Sequence, residues 1–480
     1  MKADNRMVQF LLSSLVALLL SLNASAQADY HVGDTIELNT TGLHDADHAT
    51  IAVNSFGDVI IVNHTQVGQD AKAIELNTLV TLGNTVASGY KQFNTRRVGD
   101  PTLNIFGVGN DSCSKPDIEA LGDDSFLIVW TRHDLSDTQP SRIEACKIIT
   151  RDSNGTVRPQ IHIVSPRRGE GIILDSTSNA GDSGFMPDIA SFKELGSTKA
   201  IIVFAHEQSK SSTSTKTYRD YSLIARKIDW PRGSSSPSIH SATTIETDIP
   251  FDNKNSTPYS GGIILPDAVL DDGGNLTVVY ESYLIAPHNW HFGTAIGSIQ
   301  LRRYSPQSLA LLDEIEFRGH HQNSHQRRPM IATSNDDAMN MVTIGWNDSS
   351  ISTTSAHRVH FRRVDFNTST AGHNPPRVVP WDDTVSSADD LANVAMSGQA
   401  KLMMVSRRLP NRNLLMGVFK LPQQSVSYKD FAPANNHPWR PAMAIYDLSS
   451  SRSLSYLSYE GPSSSNPLLY SIYFTIQELQ

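Results

Sequence analysis

The stretch Pro116–His133, PDIEALGDDSFLIVWTRH, decides the fold. It predicts a short strand that begins after a proline, a tight polar turn, and a second, apolar strand that ends on Trp130. A buried strand usually ends in a turn without basic side chains, but this one is followed by Arg132 and His133. The first question is therefore whether the rest of the chain repeats both the hairpin and its basic end.

The hairpin does recur along the chain. Each copy has a short strand, often opened by proline, then a turn with Gly, Asp or Asn, then an apolar strand, and each is followed by a third, alternating strand such as IEACKII from Ile143. No long segment with helical periodicity separates the copies. Seven copies begin at His48, Pro116, Met186, Pro266, Arg328, Leu391 and Arg440.

Four-stranded units repeated seven times without helices predict an all-β fold, a single seven-bladed β-propeller. The last copy ends after its third strand, so we expect the N-terminal strand DTIELNT, from Asp34, to complete that blade and close the ring. Two β-sandwiches in tandem are the alternative. The chain shows no linker or change of composition that would favour them.

The N-terminus carries an export signal rather than part of the fold. Lys2 and Arg6 precede an apolar run from Val8 to Leu22, and Ala24-Ser25-Ala26 has the small residues of a cleavage site. We therefore predict a signal peptide over residues 1–26 and the propeller over residues 27–480. The predicted protein is secreted or periplasmic, monomeric and not bound to a membrane.

The net charge restricts the predicted binding partners, and the two cysteines raise the question of a cross-link. The 480-residue chain has a formal net charge of −9, which argues against a general nucleic-acid binder. Cys113 and Cys146 are the two cysteines, and in an oxidising compartment a disulfide between them is the first interpretation. Metal-binding thiolates and two buried free thiols are the alternatives.

Residues that follow second strands or precede first strands share one face of a propeller, around its axis. In this chain those positions carry many basic, histidine and aromatic side chains, which suit a polyanion built of sugar rings. Capping of strand ends by the same side chains is the competing interpretation. The candidate substrate-binding residues are His64, Arg132, Glu207, Arg328, Arg407, Trp439 and Arg440.

Titratable groups on neighbouring blades favour a catalytic function in addition to binding. His133 and His206 end the second strands of adjacent blades, and Tyr221 and Arg226 lie on the strand after His206. These residue types suit β-elimination on a uronic-acid polysaccharide. An Arg neutralises the carboxylate, His or Tyr removes the C5 proton, and the other of the two protonates the leaving oxygen. The reaction needs no cofactor.

Two other functions stay open. A propeller glycoside hydrolase would need two carboxylates across the scissile bond, for which Glu207 and Glu281 are the candidates, with Asp134 beside them. The turns do not match the Asp-box of sialidases. A propeller that binds an anionic glycan without cleaving it would need the arginines and aromatics but no paired titratable groups.

The pattern P-x-I-A, turn, apolar strand, W-x-x-H resembles the propeller-fold ulvan lyases of marine bacteria. That resemblance implies a lyase that cleaves a sulfated, rhamnose- and uronic-acid-containing algal polysaccharide by β-elimination. It implies catalytic roles for His133, His206, Tyr221 and Arg226. The chain departs from the family at Cys113, where a second histidine is expected, and His206 stands where the family has tyrosine.

A structural zinc or calcium ion is left open by the sequence. His320, His321 and His325 cluster in one loop, but a polar loop without metal is the simpler interpretation. The Asp-rich turns lack the regular ligand spacing of an EF-hand.

Overall fold

The structure is a computed structural model of the chain. It describes residues 35–38, 46–66, 72–87, 90–98, 111–134, 140–164, 171–180, 186–192, 194–213, 216–252, 266–271, 273–284, 296–317, 324–333, 341–350, 358–366, 377–379, 388–396, 401–408, 413–420, 426–431, 439–449 and 452–479. The predicted signal peptide lies outside these residues. Within the described part of the chain, no helix is long and apolar enough to span a membrane.

Every regular element in these residues is a β-strand, and the strands are numbered here in chain order. The first is β1 (Thr35–Glu37). Sheet 1 contains β2 (Ala46–Val53), β3 (Val59–Gln66), β4 (Lys72–Ala87) and β5 (Tyr90–Val98). Sheet 2 contains β6 (Asp111–Ala120), β7 (Phe126–Asp134), β8 (Pro140–Arg151), β9 (Val157–Val164) and β10 (Ile172–Ala180).

Sheets 3 to 5 follow in the same order. Sheet 3 contains β11 (Asp188–Ser191), β12 (Lys199–Thr213), β13 (Lys216–Asp229), β14 (Ser238–Ile239) and β15 (Thr243–Asp252). Sheet 4 contains β16 (Asp267–Leu270), β17 (Leu276–Leu284), β18 (Ile296–Tyr304) and β19 (Leu311–Phe317). Sheet 5 contains β20 (Ser324–Thr333), β21 (Met341–Ser350), β22 (Arg358–Asp365) and β23 (Arg377–Val379).

The last two sheets complete the chain. Sheet 6 contains β24 (Ala388–Met396), β25 (Lys401–Arg408), β26 (Asn413–Lys420) and β27 (Val426–Phe431). Sheet 7 contains β28 (Trp439–Ser449), β29 (Arg452–Pro462), β30 (Tyr470–Leu479) and the N-terminal β1. Because β1 pairs antiparallel with β30, an N-terminal strand forms the outer edge of the sheet made by the C-terminus, as the sequence predicts.

The sheets stand around one axis. The first strand of each sheet contacts the first strand of the next, and β28 contacts β2, so the ring is closed. The all-β class and the propeller architecture are therefore confirmed. The prediction that every blade has four strands, repeated seven times, is wrong, because sheets 2 and 3 have five strands. In sheet 2 the outer edge is divided: β8 pairs with β9 along one half and with β10 along the other.

Apolar side chains fill the spaces between neighbouring sheets. On β7, Phe126, Ile128 and Trp130 pack with side chains of sheet 1, whereas Leu127 and Val129 pack with side chains of sheet 3. Successive residues of a strand point to opposite faces, and both faces of this strand are covered. This explains why the sequence runs FLIVW without polar alternation.

The predicted disulfide is wrong. Cys113 and Cys146 are buried on β6 and β8 and are not joined by a disulfide, and β7 lies between these strands. Cys113 is opposite Arg132 on β7, whereas Cys146 is opposite Ile128. Two strand spacings alone separate the two Cα atoms by about 10 Å, beyond the roughly 7 Å that a disulfide can bridge.

Three aspartates tie the first strands of sheets 2 to 5 together. Each follows a proline and accepts a hydrogen bond from a backbone N–H on the next sheet. The carboxyl oxygen Oδ2 of Asp117 accepts from Ile189 N (3.0 Å), that of Asp188 from Ala268 N (2.6 Å), and that of Asp267 from Ile331 N (2.9 Å). The repeated Pro-Asp pair is therefore an inter-sheet tie near the axis.

These aspartates should make stability fall as the pH rises. Burial, and then the negative charge of neighbouring carboxylates, raises the pKa of Asp117 to about 8, and burial raises that of Asp267 to about 7. The pKa of Asp188 is raised for the same two reasons. The folded chain therefore holds protons that the unfolded chain has released. We expect the free energy of unfolding to fall by about 1–2 kcal/mol between pH 7 and 8.5.

Urea unfolding at several pH values checks this expectation. An Asp267→Asn variant keeps an oxygen acceptor for Ile331 N and should show a shallower pH dependence than the wild type. A free energy that stays level or rises over this range would contradict the raised pKa values.

Candidate functional site

The predicted ring of polar residues lies at one end of the propeller, where second strands end and first strands begin. The register shows this directly, because Asp47 at the start of β2 is opposite His64 near the end of β3, and Ser112 is opposite His133. His206 lies beyond the end of the short strand β11, on the same end of sheet 3. These strand ends surround the axis together.

The first strands are irregular at the basic residues of this end. The register shifts around His48 in β2, around Lys115 in β6, around Arg328 in β20 and around Arg440 in β28. His48 and Lys115 have φ values of 52° and 51°, in the left-handed region that side chains with a Cβ avoid. Bulges of this kind are common beside active sites, where they re-aim side chains.

Four of the basic residues at this end are in contact and form what we call the Lys–His cluster: His48, His64, Lys72 and Lys115. Lys115 Nζ lies 2.9 Å from His48 Nε2, and Lys72 Nζ lies 3.2 Å from His64 Nε2. The two imidazole rings are 4.8 Å apart, centroid to centroid. The cluster joins sheets 1 and 2, because Lys115 belongs to β6 and the other three to β2, β3 and β4.

The cluster holds at least one histidine in its neutral form. Burial, followed by the positive charges of His48, Lys72 and Lys115, lowers the pKa of His64 to about 2. His64 is almost completely buried, whereas His48 and the two lysines are half-buried. His48, not His64, is therefore the imidazole of the cluster that a ligand can reach.

Glu460 anchors the cluster from sheet 7. Its carboxylate oxygen Oε1 accepts a hydrogen bond from the backbone N–H of His48 at 2.8 Å, and the side chain is buried. The bond fixes the backbone of the bulge in its left-handed conformation. It also places a negative charge behind a group of basic side chains.

His133 and His206 lie in the next groove, between sheets 2 and 3. His133 follows Val129 at an even spacing on β7, and His206 follows Phe204 on β12; Val129 and Phe204 belong to one apolar cluster between these two sheets. Strand alternation therefore turns the two histidines toward the same groove. His133 Nδ1 lies 2.7 Å from Ser141 Oγ, and both histidines are half-buried.

Tyr221 and Arg226 are placed differently from each other. Tyr221 is opposite Glu207 on β12, one position beyond the pair His206–Ser222, so its backbone belongs to this end of sheet 3. Arg226 lies four residues beyond Ser222, about 13 Å along the strand. Its guanidinium bonds to Leu174 O and lies 3.6 Å from Asp175 Oδ1, so it links sheet 3 to sheet 2 away from the histidines.

The predicted binding residues are distributed around the same end. Arg132 is buried and contacts the carboxylate of Glu144 (3.3 Å), so it serves an ion pair inside the sheet. Glu281 is also buried. Of the other candidates, only the strand position is described: Glu207 lies on β12, Arg328 on β20, Arg407 on β25, and Trp439 and Arg440 on β28.

The metal expectation finds no support in the part of the chain that the structure covers. Among the described residues, no group of three or more His, Cys, Asp or Glu side chains could hold a metal ion. His320 and His321 lie outside the described residues, and only the backbone position of His325 on β20 is described.

Sequence reasoning missed Lys72, Lys115 and Glu460. Lys115 carried a usable signal: Lys115-Pro116 is the same basic-proline pair as Arg328-Pro329 and Arg440-Pro441. Proline fits beside a bulge because it has no N–H to offer the strand ladder. Lys72 opens a third strand, where no repeated motif marks it.

Comparison with known proteins identifies no family for this chain. No protein-family model matches the chain, and no curated protein matches it. The resemblance to ulvan lyases therefore stays a prediction.

Solved structures do show a distant likeness. An α-L-arabinofuranosidase of Fusarium graminearum is 10% identical with a TM-score of 0.45, over 93% of this chain and 97% of that one. An α-L-arabinanase of Penicillium chrysogenum is 9% identical with a TM-score of 0.40, over 94% and 97%. An oligogalacturonate lyase of Vibrio parahaemolyticus is 8% identical with a TM-score of 0.40, over 94% and 96%. A likeness this distant does not carry an activity over to this chain.

Proposed function

We propose that this chain is a polysaccharide lyase that cleaves a sulfated, uronic-acid-containing polysaccharide, such as ulvan, by β-elimination. The observation that carries the proposal is the contact between Lys115 Nζ and His48 Nε2, 2.9 Å apart on facing bulges at the axial end of the propeller. We also propose that the enzyme is exported and monomeric and that it acts on its polymer outside the cytoplasm.

The pair supplies the two functions that elimination needs first. A uronate carboxylate draws the ammonium group of Lys115 away from the imidazole and is neutralised by it, which acidifies the proton on C5. His48 Nε2 then accepts that proton. The C4–O4 bond breaks, the C4–C5 double bond forms, and O4 takes a proton, for which the ammonium group of Lys72 is the nearest described acid of the cluster.

The groups buried around Lys115 and His48 are consistent with these two roles. His64 is neutral, so it supports the ring of His48 without adding a positive charge that would weaken the base. Two lysines remain as cations, and Glu460 contributes the compensating negative charge behind the bulge. The cluster therefore combines a basic imidazole with cations, which is the combination that a negatively charged transition state requires.

His133, facing His206 in the next groove, is the second candidate for the base. Its contact with Ser141 Oγ orients the ring, as a hydrogen-bonded neighbour does for catalytic histidines. The hydrolase alternative has less support, because Glu281, one of its two candidate carboxylates, is buried rather than set beside an open cleft.

The test uses the mature protein with ulvan, alginate, polygalacturonate and a glycosaminoglycan as separate substrates. Absorbance of the new conjugated double bond and the number of reducing ends are followed together. Absorbance and reducing ends that rise together on one substrate support elimination. Reducing ends without absorbance would replace the lyase by a hydrolase, and bound polymer without either signal would replace it by a binding protein.

A further inference from the structure

Arg142 lies on β8 opposite Arg132, at the same end of the propeller as the Lys–His cluster, and its guanidinium group is partly exposed. Its Nε donates to Glu144 Oε1 at 2.7 Å, and its side chain is 28% exposed. Among the residues that the structure describes, no group bonds to its two terminal amino groups. The planar guanidinium group of arginine has five N–H donors. An arginine bound through Nε alone therefore keeps the N–H groups of its two terminal nitrogens for another acceptor.

The carboxylate that holds Arg142 is itself fixed. Glu144 is 1% exposed; its Oε2 accepts a hydrogen bond from Gly171 N at 3.1 Å, and its Oε1 also lies 3.3 Å from Arg132 Nη1. Gly171 is required for this approach, because a Cβ there would lie 2.7 Å from Glu144 Cβ and from the Trp130 ring. One buried carboxylate therefore serves two guanidinium groups, and the trio keeps a positive charge.

Arg142 faces sheet 1 across the groove in which the cluster lies. Cys146 packs toward sheet 1, and alternation along β8 turns Glu144 and Arg142 to the same side. On the opposite wall, Ile74 packs toward sheet 2, which turns Lys72 into the groove. Both residues lie near the first residue of the third strand of their sheet, and facing sheets are about 10 Å apart.

We propose that Arg142 binds a second anionic substituent, a sulfate ester or a carboxylate, of the polysaccharide chain whose uronate occupies the Lys–His cluster. The guanidinium edge can donate two parallel hydrogen bonds to two oxygens of one anion. The inference rests on the proposed function for the reaction, but the binding that it describes can be measured without turnover.

The experiment measures polymer affinity by titration calorimetry with the wild type and the Arg142→Gln variant. The probes are native ulvan, chemically desulfated ulvan and polygalacturonate. The matched control is Arg158→Gln, which removes the same charge from the outer strand β9 of the same sheet. A melting curve of each variant verifies that it is folded.

We expect Arg142→Gln to bind native ulvan about tenfold more weakly, the loss typical of a charge-assisted hydrogen bond, and Arg158→Gln to bind it as the wild type does. A loss on native ulvan alone identifies a sulfate subsite, and a loss on the desulfated polymer or polygalacturonate as well identifies a carboxylate subsite. Equal affinity of Arg142→Gln and the wild type on every probe would overturn the proposal, as would a wild type that binds none of them.

Kinetics separates this inference from the proposed reaction. If the wild type eliminates, Arg142→Gln should raise KM about tenfold and change kcat less than twofold. If the wild type binds with this dependence on Arg142 but produces no double bond, the lyase fails and the anion subsite stands. If elimination occurs and neither KM nor affinity responds to Arg142→Gln, the subsite fails and the lyase stands.

Discussion

Replacement of His48 by glycine should lower the rate of elimination by about 10²–10⁴-fold, the contribution of a well-placed general base. Glycine adopts the left-handed φ of this position more readily than histidine does, so the bulge should keep its shape. The variant also leaves a space the size of the lost ring. Added imidazole should therefore restore part of the activity, which a variant that merely unfolds would not show.

Two histidine variants act as controls for this result. His162 is exposed on the outer strand β9, and His162→Gln should keep full activity. His133→Gln distinguishes the two grooves. Activity that survives in His48→Gly and is lost in His133→Gln would move the base to the groove between sheets 2 and 3 and reject the role of His48.

Replacement of Lys147 by methionine should destabilise the protein by about 3–5 kcal/mol, the cost of breaking a buried ion pair from one side. Lys147 is fully buried at the turn end of the ring, opposite the candidate site. Its Nζ donates to Asp123 Oδ2 at 2.8 Å and to Trp230 O at 2.5 Å, and it thereby joins sheet 2 to sheet 3. Methionine fills similar space but leaves the buried carboxylate without its cation.

Denaturant unfolding measures this effect against a matched ion pair at the surface. Glu314 pairs with Arg302 but is 63% exposed, so Glu314→Gln should change the free energy of unfolding by less than about 1 kcal/mol. Lys147→Met combined with Asp123→Asn should recover part of the loss. Similar effects of Lys147→Met and Glu314→Gln would show that burial does not strengthen the Lys147 pair.

The strands could be predicted from the sequence because their signals are local. An apolar run such as Phe126–Trp130, bounded by a polar turn, has few interpretations other than a covered strand. The positions of Arg132 and His133 at one end of the ring followed from that assignment, because they come directly after the strand. The repeat itself required the propeller, since no helices were available to cover the strands.

The contacts between sheets could not be predicted in the same way. Cys113 and Cys146 are near in sequence, yet an intervening strand separates them, and only the strand order shows this. Arg226 carries the residue type that the reaction needs, but its position along β13 directs it to Asp175. The Lys–His cluster depends on two bulges with left-handed φ, and neither hydrophobic pattern nor composition reports backbone conformation at a single residue.

The pairing of β1 with β30 has a consequence for how the molecule reaches its native state. Glu37 accepts hydrogen bonds from Ser464, which is 427 positions away, so the closing contact joins the most distant parts of the described chain. Such a contact forms slowly, because its ends meet only when the intervening sheets have already curved into an arc. The pairing of this three-residue strand is therefore expected late in folding, and until it forms the edge of β30 stays open.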